Sequence, residues 1–76
     1  MLSKITLVKI ADNDWQIALG TTLKFFSSIE DASSYLEQVG IKDGDIDTAL
    51  IHMIAFNHDK SHFDPKTGSF LSSEEL

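Results

Sequence analysis

Phe63-Asp64-Pro65-Lys66-Thr67-Gly68-Ser69-Phe70 (residues 63–70) specifies a tight turn held between two aromatic residues. Asp64 can accept hydrogen bonds from the amides of its own turn. Pro65 pre-sets φ for the first turn position, and Gly68 supplies the positive φ needed to leave it. The segment predicts a β-hairpin near the C-terminus, with Phe63 and Phe70 as a cross-strand pair. The residues before it must supply the rest of a sheet and whatever covers that sheet.

Immediately upstream, every residue from Ala49 to Phe56 except His52 is apolar, which fits either a buried strand or a helix. Asp43, Asp45 and Asp47 precede the run, where carboxylates complement the positive end of a helix dipole. Together with the Ala and Met content, they favour a second helix starting at Asp43 or Asp45. At about 100° per residue, Ile46, Ala49, Leu50, Met53 and Ile54 are predicted to form its buried stripe. Ile51 then stands about 140° from Ile46, and Ala55 lies close to the opposite side. Asp47, Ile51 and His58 share this outer face.

A first helix is predicted over 28–39. Ser27 with Glu30, or Ser28 with Asp31, offers a capping box, and Gly40 suits the position after the last turn. Ile29, Ala32, Tyr35, Leu36 and Val39 make its apolar stripe. Further upstream, residues 4–10 are rich in β-branched side chains. Residues 15–19 alternate apolar with small or polar residues, and Leu23-Lys24-Phe25-Phe26 is a short third strand. The order β-β-β-α-α-β-β predicts an α+β fold: one small domain over 1–72, with an antiparallel sheet of about five short strands and two helices packed on one face. Residues 73–76 read as a solvated tail.

Twelve acidic residues against six lysines give a net charge of −6, and the chain has no arginine. Arginine is the usual bidentate reader of phosphates and base edges, so direct nucleic-acid binding is disfavoured. An anionic membrane surface is disfavoured for the same reason. The acidity suits solubility or a basic protein partner. There is no cysteine, which removes disulfides and thiolate zinc sites and favours a cytoplasmic setting. Met1-Leu2-Ser3-Lys4 does not begin a signal peptide, and the Ala49–Phe56 run is too short to span a bilayer.

His52, His58 and His62, with Asp59 and Asp64, are the one group with metal-ligand residue types. His58 and His62 are four apart, a metal-binding spacing on a helix. The hairpin removes that helix, and strand alternation places Lys60 beside His62, so no metal residue is assigned. Asp43-Gly44-Asp45-Ile46-Asp47 lacks the glycine position and the terminal glutamate of a calcium loop, residue 54 being isoleucine. No nucleophile elbow and no glycine-rich phosphate loop is present. Lys66-Thr67-Gly68 is similar to a tripeptide of the serine β-lactamases, but here it lies inside a tight turn and that family's companion motifs are missing. No catalytic or cofactor-binding residue is therefore assigned.

What remains is surface. Asp43, Asp45, Asp47, Ile51, Ala55 and His58 are the candidate partner-binding residues, and the same helix face could alternatively pair two copies of the chain. The expected function is a non-enzymatic protein-binding module. It would inhibit or regulate a basic partner, which could itself be a nucleic-acid-binding protein. In size, acidity and element order the chain is similar to small accessory proteins of phages and mobile elements, anti-CRISPR and anti-restriction inhibitors among them. That likeness carries no shared motif. The competing expectation is a small metal-dependent or histidine-using enzyme domain centred on 52–64.

Overall fold

The computed structural model describes residues 4–74. Seven elements follow one another: β1 (Ile5–Ala11), β2 (Asp14–Leu19), β3 (Thr22–Phe26), α1 (Ile29–Gln38), α2 (Asp43–Ala55), β4 (Lys60–Asp64) and β5 (Ser69–Glu74). The strands form one five-stranded sheet in the order β3-β2-β1-β4-β5, every neighbouring pair antiparallel. This is the predicted α+β architecture. The first strand is the central one, because β1 pairs with β2 on one side and β4 on the other. Ile5 lies opposite Phe63, and Leu7 opposite Ser61. That pairing joins the two halves of the chain.

Strand alternation gives the sheet one wet and one dry face. Ile5, Leu7, Trp15, Ile17 and Phe63 point inward. They are buried with Ala32 and Leu36 of α1, Ile46, Ala49 and Met53 of α2, and Ile41 of the link between the helices. Thr6, Val8, Gln16, Ala18, Leu23 and Phe25 alternate onto the other face. Thr6 Oγ1 and His62 Nδ1 share a cross-strand hydrogen bond of 2.9 Å there.

Local chemistry fixes the ends of α1. Ser28 is extended, and its hydroxyl accepts the Asp31 N–H at 3.1 Å, so of the two predicted candidates Ser28 is the residue that caps the helix. At the other end Gly40 takes φ +101°, and the Ile41 N–H returns to the Leu36 carbonyl at 3.0 Å. This closes the helix and delivers Ile41 to the core. α2 has no side-chain cap on its first turn. Burial of Ile46, Ala49 and Met53 holds it instead.

The C-terminal hairpin forms as the turn chemistry requires. Asp64 Oδ1 accepts the Lys66 N–H at 2.8 Å, and the Gly68 N–H returns to the Asp64 carbonyl at 2.8 Å. Phe63 and Phe70 pair edge to face, with ring centroids 6.0 Å apart. Gly68 has φ +74°, and a Cβ there would overlap the Gly40 carbonyl oxygen. The Gly68 carbonyl also accepts the Lys42 N–H at 2.9 Å, tying the turn to the interhelix link.

Two sequence expectations need correction. Ile54 is 83% exposed and lies outside the buried stripe of α2. It stands about 80° from Ile46, beyond the sector that the sheet covers. The expected tail begins too early, because β5 continues through Glu74. Ser73 pairs with Ser61 and Glu74 with Lys60, so the extended β4 supplies the partners that keep these positions in the sheet. Residues 75–76 lie outside the described residues.

Candidate functional site

α2 divides the candidate residues between support and surface. Asp43 and Asp47 are exposed, but Asp45 is half-buried and accepts the Phe70 N–H through Oδ1 at 3.0 Å. That bond ties the start of α2 to β5, so Asp45 is engaged within the fold. Ile51 is 63% exposed and Ala55 is also exposed. With Ile54 they give α2 an outward apolar ridge that begins at Asp47, while Phe56, exposed just past the helix end, turns to the other side of the helix toward His52 and His58. The sequence pattern identified Ile51 and Ala55. It missed Ile54, because a nearly continuous apolar run offers little contrast between the two sides of a helix.

His58 leaves the helix altogether. Its Nδ1 and Ser73 Oγ share a 2.5 Å hydrogen bond, which ties the α2–β4 link to β5. Rings continue from there along the end of α2. His58 lies 5.9 Å from Phe56, Phe56 lies 5.4 Å from His52, and His52 lies 5.1 Å from Phe70. His52 and His58 are thus members of an aromatic stack, while His62 sits on the opposite face of the sheet beside Thr6. The structure does not gather the three histidines. Among the described residues no group of three or more His, Asp or Glu side chains is placed to hold a metal ion.

Beside the ridge runs a groove of about 670 Å³, within the usual size range of ligand-enclosing clefts. Trp15, Ile29, Leu50, Met53 and Ile54 supply apolar walls, and Lys9, Asn57, His58 and Asp59 the polar ones. Ile54 belongs both to this wall and to the outward ridge, so groove and ridge form one surface. The Lys9 ammonium lies 5.8 Å from the centre of the Trp15 ring and 3.5 Å from Asp12 Oδ1. The groove's single lysine is therefore already paired. The link around it is also fixed: the Lys9 N–H donates to the Asp59 carbonyl at 2.8 Å, and the His58 N–H to the Met53 carbonyl at 2.9 Å. Sequence spacing gave no signal for this groove, because its walls come from four separate regions of the chain.

No helix among the described residues is long and apolar enough to cross a membrane. No protein-family model, curated protein or solved structure matches the chain.

Proposed function

We propose that this chain is a non-enzymatic binding module that inhibits or regulates a basic protein, in a cytoplasmic setting, through the outward side of α2. The observation that carries this reading is the exposure of Ile51, Ile54 and Ala55 together on one side of α2. Single exposed apolar residues are ordinary, whereas a contiguous set of them marks an interaction surface. Asp43 and Asp47 stand exposed at the start of the same helix, in a chain of net charge −6. Charges at the edge of an apolar contact speed encounter with an oppositely charged partner and select against like-charged ones. Self-association through this face is the weaker reading, since two copies would set −6 against −6.

The test is parallel capture from the native host's extract with wild type, Asp43→Lys/Asp47→Lys and Ile51→Asp as baits. A basic protein retained by wild type and lost from both variants is the expected result. Captured proteins that both variants retain as wild type does, or that are acidic, contradict the reading.

A further inference from the structure

We infer that the groove between the start of α1 and the last turns of α2 is a helix-docking slot, and that its occupant is an amphipathic helix with lysine or arginine flanking its apolar side. The inference rests on the functional reading above and makes it specific.

The walls select side-chain packing over strand addition. Trp15, Ile29, Leu50, Met53 and Ile54 present apolar side chains, and the nearby Lys9 N–H is already bonded to Asp59. β1 and β2, which carry Lys9 and Trp15, each have a strand on both sides, so the groove offers no open sheet edge for an added strand. A helix in a groove needs only an apolar trough that receives side chains spaced i, i+3 or i+4, and i+7. The thioether of Met53 gives such a trough an adaptable floor.

Charge selects the flanks of that helix. Lys9 is the only lysine on the walls, and Asp12 pairs with it. Asp59 lies on the wall itself, and Glu30 and Asp31 directly follow Ile29 in the first turn of α1. One oxygen of Asp59, Oδ1, is buried and lacks a hydrogen-bond partner among the described residues. A carboxylate in that state gains from a nearby cation. A second copy of this chain would bring more acid to the same place, so a basic helix is the complementary occupant.

Trp15 is the chain's only tryptophan, and it lines the groove, so its emission reports occupancy directly. Three synthetic helical peptides without aromatic residues serve as probes. The first carries leucines on one side and lysines on the other. The second keeps the leucines and replaces lysine by glutamate. The third scrambles the first so that no apolar side exists. Saturable change in Trp15 emission is expected with the first peptide alone, and Ile54→Ser should weaken it tenfold or more. An equal response to the glutamate or scrambled peptide overturns the assignment, as does a silent Trp15.

Calorimetry with the same lysine peptide separates the two levels of interpretation. Binding that Asp43→Lys/Asp47→Lys weakens, with Trp15 silent and Ile54→Ser without effect, removes the groove but keeps the acidic surface. Absence of any heat from the lysine peptide counts against both.

Discussion

Ile46 and Ile54 are the same residue on the same helix, about two turns apart, yet they are 1% and 83% exposed. Ile46 meets the sheet and contributes to folding. Ile54 meets only the rim of a groove and contributes almost nothing to it. Asp45 and Asp47 divide in the same way: one accepts the Phe70 N–H and the other faces solvent. The apolar character of α2 therefore has two separate uses, a core side that fastens the helix and an outward side whose apolar content the fold does not require.

The largest expected effect lies on the inward side. Ile46→Ala should lower unfolding free energy by about 2–5 kcal/mol in urea denaturation, the range for a truncated core isoleucine. A loss below about 1 kcal/mol would mean that α2 is not fastened through this side.

Gly68→Ala comes next, at about 2 kcal/mol, because alanine resists positive φ and its Cβ would overlap the Gly40 carbonyl. An unchanged melting temperature would place the hairpin turn away from the interhelix link. Asp45→Ala should cost about 1–3 kcal/mol by leaving the Phe70 N–H without its acceptor. Asp47→Ala should stay within about 0.5 kcal/mol of wild type, as an exposed change does. Equal effects at the two positions would erase the distinction between them.

A small effect of the opposite sign is expected at Ser61. Ser61 is fully buried, and its hydroxyl has no hydrogen-bond partner among the described residues. Ser61→Ala should leave stability unchanged or raise it by up to about 1 kcal/mol, because a desolvated polar group is removed. A clear loss of stability would reveal a partner for that hydroxyl.

Much of this fold could be read from local chemistry. The 63–70 turn, the Ser28 cap and the break at Gly40 each rest on residues adjacent in sequence, and each forms as expected. Strand order was not legible, because the β1–β4 pairing depends on contacts between the two ends of the chain. Ile54 was misplaced because periodicity resolves poorly where nearly every residue is apolar. The outward exposure of Ile51 was legible from its angle on the helix. The groove was not, since Lys9, Trp15, Ile29 and Leu50 meet only once the sheet and both helices are assembled.

The division of α2 is tested most directly by urea denaturation of the Ile51→Gln/Ile54→Gln double variant, in which both replacements are good helix formers without charge. A surface role predicts an unfolding free energy within about 0.5 kcal/mol of wild type. A loss of about 2 kcal/mol or more would show that these isoleucines belong to the core, and the docking surface would lose its basis.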